Sequence, residues 1–383
     1  MLDKILYAAP YLIIAFILFL LYYQEQYLIK QKKSPTPISI SAFIILLLFL
    51  GLRGHIYTDF ISYYSFYEKL TPIFQPNVSE HYYEPGFVLF SKIIKTFIPN
   101  YHGWILINTF IDLYALRFIF KRYCSSTILP FIFFLAFQGV MMEANLMRNM
   151  KALDCFFFSI PYLIDRKFFK YLLLNIIGIF FHFSAILFIP FYFILMRHLH
   201  KYFIWGMFVF VSVIYWGNLH FTSSLLSKIL ITDIAIERFQ GYLESDQGYG
   251  FTFGYFERTA TFVLFTIFSN SLIKKHEYNT VFYNCAFWYY ISHLLFDDIA
   301  LIAERVPFLF IIGYWTLYPN IVRLKSKYRP VINYSIGILV SMKIFLSYSS
   351  NASKYQNIIF GIDSYEKRSN EVMESFLDFQ SNR

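Results

Sequence analysis

The hydropathy pattern constrains the fold of this chain more than any other feature. Apolar runs of roughly 15–20 residues, close to the length of a bilayer span, recur from residue 5 to residue 345 with short Lys/Arg clusters between them. In a bilayer every backbone N–H and C=O must find its partner within the segment, so runs of this length form helices. A membrane β-barrel would show alternating segments of about ten residues instead. Only 15% of the 383 residues are charged, against about 25% in a soluble domain. The chain therefore reads as an all-α polytopic integral membrane protein.

The formal charge of +9 is explained by basic loops on one side of the membrane, so no nucleic-acid partner is expected. Cys124, Cys155 and Cys285 lie in or beside apolar runs, without metal or disulfide spacing. No phosphate-binding loop, G-x-S-x-G or H-E-x-x-H occurs. Neither a metal nor a cofactor is expected.

The first run, from Ile5 to Tyr23, precedes Lys30, Lys32 and Lys33, and reads as an uncleaved span that begins outside. Ile38–Leu52 returns outward. Phe87–Ile98 is short and holds Lys92 and Lys95, which fits a re-entrant or interfacial helix. Trp104–Phe120, Ile128–Met142 and Met150–Ile164 follow as spans. Tyr171–Met196 is too short for two full spans, and is read as two short helices meeting at His182. One long tilted helix is the alternative. Four further spans run to Phe345, giving about 12 spans plus the re-entrant piece. Residues 1–347 then form a single transmembrane domain, and 348–383 a polar tail.

Two polar stretches interrupt the pattern on the outer side, at 53–86 and 217–255. The first holds Arg53, His55, Asp59, Glu68, Glu80, His81 and Glu84. Ionisable groups at membrane depth are costly and usually line a site. On this topology Arg53, Asp59, Glu84, Glu143, Arg148, His182, Arg238, Arg258, Glu304 and Arg305 collect at the outer face. Outer arginines reverse the usual bias. A guanidinium binds phosphate through two parallel hydrogen bonds, and aromatic rings, Tyr63 and Tyr83 among them, suit sugars or a prenyl chain. Arg53, Arg148 and Arg305 are the candidate ligands of a leaving pyrophosphate. Asp59, Glu84 or His182 would position or deprotonate an acceptor hydroxyl. Each also has a structural reading. Asp59 suits a helix cap, Glu84 a helix N-terminus, Arg148 an ion pair with Glu143, and Arg305 one with Glu304.

Gly51-Leu-Arg53, Thr58-Asp59-Phe60 and Tyr63-Tyr64 resemble the R…TDY..Y pattern of the EpsG family of exopolysaccharide proteins. Tyr83-Glu84-Pro85-Gly86-Phe87 is similar to its YEPGF segment. Arg148-Asn149-Met150-Lys151-Ala152 resembles its R-x-x-x-A turn, and Phe181-His182-Phe183-Ser184-Ala185 its FH-x-SA segment. Phe60 stands where Tyr is usual and Asn149 where Gln is usual. The family is similar to Wzy-type O-antigen and capsule polymerases. The resemblance implies a periplasmic-face glycosyltransferase of the bacterial inner membrane, with a fold like lipid-dependent (GT-C-like) glycosyltransferases. It would transfer glycan from undecaprenyl pyrophosphate to a lipid-linked repeat unit, with a chain-length regulator of the Wzz type as partner. The rival expectations are an O-antigen ligase, a lipid-linked oligosaccharide flippase and a membrane acyltransferase.

Overall fold

The computed structural model describes residues 2–75, 83–217, 219, 221–224, 252–303, 305–324, 327 and 329–381. They form helices α1 (Leu2–Lys30), α2 (Thr36–Gly51), α3 (Phe60–Lys69), α4 (Pro85–Phe97), α5 (Tyr101–Tyr123), α6 (Leu129–Ala136), α7 (Gly139–Asn145), α8 (Met147–Ile164) and α9 (Phe168–Phe181). After them come α10 (Lys201–Trp216), α11 (Phe253–Lys275), α12 (Asn279–Leu295), α13 (Ile312–Val322), α14 (Arg329–Tyr348) and α15 (Tyr365–Ser381). No named strand occurs among the described residues. The chain divides into two compact units, residues 1–189 with 318–383, and residues 190–317.

By length and composition, α1, α5 and α14 are each sufficient to cross a membrane, whereas α2, α9 and α10 are apolar but shorter. The breaks between the shorter pieces have local causes. The run 128–142 divides at Gln138, whose φ of 62° lies in the left-handed region, and α6 and α7 form either side of it. The helix from Phe168 ends at Phe181, and His182 is extended (φ −158°). A 3-10 turn over Phe183–Leu187 follows, and the chain folds back until the Tyr171 hydroxyl donates to the Phe188 carbonyl at 2.6 Å. This is the reversal at His182 that the sequence suggests.

In the first unit, α1 and α14 pack side by side, with the Tyr11 and Tyr348 rings stacked at 3.8 Å. At the far end Glu25, buried within α1, accepts from the Thr127 backbone at 3.0 Å and from the Ser126 hydroxyl. Helices α2, α5, α8 and α9 pack in series beside them. Near the ends that carry Arg53 and Arg148 lies an aromatic core. Tyr67 stacks on Trp104 at 4.7 Å, and Phe87, Tyr63 and Tyr101 close around them. Offset aromatic pairs add about 0.5–1.5 kcal/mol each beyond their buried area. This core holds α3, α4 and α5 together as the platform beneath the polar stretch.

The C-terminal segment is folded onto that platform. The Gly54 N–H donates to Gln356 O at 2.8 Å, Tyr57 N–H to Ala352 O at 2.6 Å, and Ile358 N–H to Leu52 O at 2.9 Å. Arg368, fully buried, donates to the carbonyls of His55, Asn351 and Ala352. These bonds supply partners that an irregular segment cannot make within itself.

Candidate functional site

The sequence Glu84-Pro85-Gly86 places a carboxylate beside the end of another helix. Proline fits the first turn of α4, where its missing N–H is no loss. A Cβ on Gly86 would sit 2.7 Å from the Phe180 carbonyl oxygen, so only glycine allows α4 to approach α9 this closely. Glu84, just before α4, then comes beside His182, just after α9.

Three side chains meet there. Arg148 Nη1 donates to Glu84 Oε2 at 2.6 Å, and His182 Nε2 lies 3.9 Å from Glu84 Oε1. Arg148 and Glu84 are 20% and 21% exposed and His182 14%, so the group is held by the protein yet open to an incoming molecule. Arg148 also lies 4.5 Å from the centre of the Tyr83 ring, a cation–π contact. Its Nε has no hydrogen-bond partner among the described residues. The Ser184 N–H points at His182 Nδ1 from 3.2 Å, which keeps a lone pair on that nitrogen and puts the ring proton on Nε2, toward Glu84. The Ser184 hydroxyl lies 2.7 Å from Nδ1 and 2.9 Å from Asn149 Oδ1. Beside the group, the Tyr63 hydroxyl donates to Asn145 O at 3.3 Å. Burial pushes that phenol up to about 12, against the pull of the Arg148 charge.

Beneath this group lies a fully buried charge network. Arg53 donates to Leu50 O at 2.7 Å, Thr109 Oγ1 at 2.9 Å and Glu143 O at 2.7 Å. Thr109 donates in turn to Glu143 Oε1 at 2.6 Å, and Arg53 Nη1 stands 3.5 Å from the same oxygen. Lys151 donates to Asn108 O at 3.0 Å and bonds the Asp112 carboxylate, and Asp154 Oδ2 is 3.7 Å away. The network thus holds Arg53 and Lys151 against Glu143, Asp112 and Asp154. A proton on one carboxyl would balance it. Leaving any member unpaired here would cost several kcal/mol.

The structure brings together Glu84, Arg148, His182, Tyr63 and Tyr83, with Arg53 and Glu143 in the layer below. Arg148 pairs with Glu84 rather than with Glu143, whose partner is Arg53. The reason is helical geometry, because Arg148 opens α8 on the side of α4 while Glu143 on α7 faces α5. Asp59 precedes α3, but its side chain caps nothing there. Thr58 donates to its Oδ1 at 3.2 Å, and Asn145 Oδ1 accepts from the backbone N–H groups of Thr58 and Asp59. Arg258 and Arg305 belong to the second unit. Glu80, His81, Arg238, Glu304 and most of the 217–255 stretch lie outside the described residues.

Lys151, Asp112 and Asp154 were not among the residues expected from the sequence. Their signal was present. Arg148, Lys151 and Asp154 recur every third residue along one helix, and Asp112 sits inside an otherwise apolar span, where a charge needs a partner.

The chain matches the EpsG family over residues 38–359, and so belongs to that family. Among curated proteins and solved structures, none matches it. The family match extends past α14 to the docked segment that pairs with Leu52 and Gly54. The family is associated with polysaccharide biosynthesis and the helices are those of a membrane protein.

Proposed function

We propose that this protein is a membrane glycosyltransferase that polymerises lipid-linked repeat units of an O-antigen or capsule polysaccharide. The donor is a glycan on undecaprenyl pyrophosphate, the acceptor is another lipid-linked unit, and the site faces the periplasm from the inner membrane. The observation that carries this reading is the half-exposed Glu84–Arg148–His182 group, with an unused donor on Arg148, in a member of the EpsG family.

The chemistry follows from the geometry. Without substrate, Glu84 holds the Arg148 fork in place. A pyrophosphate is the stronger partner for a guanidinium, because it offers more charge and more oxygens in bidentate geometry. Its arrival draws Arg148 from Glu84. The freed carboxylate is then the base for the acceptor hydroxyl, and His182, with its proton on Nε2, steadies it. As the glycosidic bond to the lipid breaks, charge develops on the phosphate, and Arg148 stabilises it there. Arg53 takes a positioning role, because its donors are spent on Leu50, Thr109 and Glu143. Asp59 orders the start of α3, and Tyr83 flanks the arginine.

Arg238, Arg258, Glu304 and Arg305 are proposed to contact the glycan or the pyrophosphate from the second unit. A GT-C-like arrangement of about 12 spans and a Wzz-type chain-length partner complete the proposal. The test is complementation of a deletion strain with wild type and with Arg148→Lys, reading surface polysaccharide on a gel. The wild type should restore a ladder of chain lengths, and the Lys variant should leave single repeat units. A full ladder from the variant would remove Arg148 from the reaction.

A further inference from the structure

At the basic end of the second unit, α10, α11 and α12 enclose a cavity of about 380 Å³. This end carries Arg197, His198, His200 and Lys201, with Lys274, Lys275 and His276 on the neighbouring loop. His198 and Lys201 stand at its rim, both exposed, and no carboxylate lines it. Inside are two fully buried polar atoms without a hydrogen-bond partner among the described residues, Thr280 Oγ1 and Asn284 Oδ1. The Asn284 amide nitrogen is occupied, donating to Leu195 O and Arg197 O at 2.8 Å each. Its carbonyl oxygen is left to accept from something in the cavity. A buried acceptor without a donor costs about 1–3 kcal/mol, and a ligand or ordered water that donates to it recovers that loss. The flank is apolar, with Trp205 and Ile267 exposed on the lipid-accessible side of their helices.

We propose that this cavity binds a phosphate ester carrying a free hydroxyl, as found in the headgroup of an anionic glycerophospholipid such as phosphatidylglycerol. Lys201 and His198 face the phosphate, Asn284 Oδ1 and Thr280 Oγ1 receive the headgroup hydroxyl, and Trp205 and Ile267 flank the start of the acyl chain. The three features answer three parts of one molecule, and the Glu84 group is not involved. Orientation by the positive-inside rule puts this end in the cytoplasmic leaflet. The site therefore stands whether or not the polymerase reading holds.

The test titrates the full chain in detergent with short-chain phosphatidylglycerol and follows tryptophan fluorescence, with Trp205→Phe as the control that removes the reporter. A saturable change that vanishes in the control is expected. Thr280→Val, which keeps the side chain's shape, and Lys201→Ala should each weaken binding about five- to tenfold. Phosphatidylcholine, which has no hydroxyl donor, should bind more weakly by a similar factor. Saturation by glycerol 3-phosphate at matching concentrations would support the same site with a soluble source of the phosphate. No saturable signal from either compound, or equal affinity in wild type and Lys201→Ala, would overturn the proposal. Lys201 is exposed on the rim, so that variant keeps the test decisive even if Thr280→Val does not fold.

Discussion

Arg148 and Glu84, 64 positions apart in the chain, are joined by a 2.6 Å hydrogen bond between side chains that are each about one-fifth exposed. The pair links the start of α8 to the start of α4. Arg148→Lys keeps the charge but loses the fork, and activity should fall about 100-fold, the typical cost of one lost donor to developing charge. Glu84→Gln keeps the shape and removes the base, with a loss at least as large. Both should express like wild type. Chain length on a gel, normalised to membrane protein level, checks this.

Gly86 holds the pair against His182. In Gly86→Ala the new methyl meets the Phe180 carbonyl, so α4 must move outward and Glu84 with it. Activity should fall while α5 and α8 keep their packing. A crosslink between cysteines placed on α4 and α9 should form in the parent and weaken in the alanine variant.

Breaking the buried layer should cost stability as well as activity. Glu143→Leu leaves Arg53 buried without its carboxylate, a loss of about 3–5 kcal/mol. For a chain of this size that lowers Tm by about 10 °C. Unfolding in detergent, followed by intrinsic fluorescence, reads it. Arg148→Lys, on the open surface above, should leave Tm nearly unchanged.

The docked C-terminal segment should be pH-sensitive. Burial, the neighbouring His102 and the Arg368 charge lower the His55 pKa to about 4, against about 6.5 in an unfolded chain. The folded state thus binds fewer protons between those values. His55 contributes stability above pH 6.5, and that contribution is lost as pH falls toward 4. Asp363, held at about 2 by the Lys367 hydrogen bond and by Gln356 and Lys354, contributes above its unfolded value near 4. That contribution is lost lower still. Both signs point the same way. Limited proteolysis should release residues 349–381 faster at pH 4.5 than at pH 7.5, and His55→Gln should flatten the upper part of this dependence.

The sequence was most informative where a residue type has one structural use. Pro85-Gly86 forced a tight helix start, and His182 marked the end of α9. Arg148 and Glu84 stood out as ions in an apolar setting. Other features depended on tertiary partners and left no such mark. The tail looked merely polar, yet its backbone pairs with residues 52–57, and Arg368 is sealed beneath it. Arg53 looked like a ligand for substrate because a lone outer arginine usually is one. Thr109 and Glu143, distant in the chain, turn it inward. The broken helix at Gln138 was hidden by a continuous apolar run, because hydropathy does not register a left-handed residue.

The central claim is that the Glu84–Arg148–His182 group polymerises lipid-linked repeat units, and the most direct measurement is polymerisation in vitro. Purified protein in liposomes would be given a synthetic lipid-pyrophosphate repeat unit, and product length read by mass spectrometry. The account predicts products of two or more repeats with release of the lipid pyrophosphate, abolished by Glu84→Gln and by Arg148→Lys. Elongation at the wild-type rate in both variants would contradict it, as would a folded wild-type protein that leaves the repeat unit unchanged.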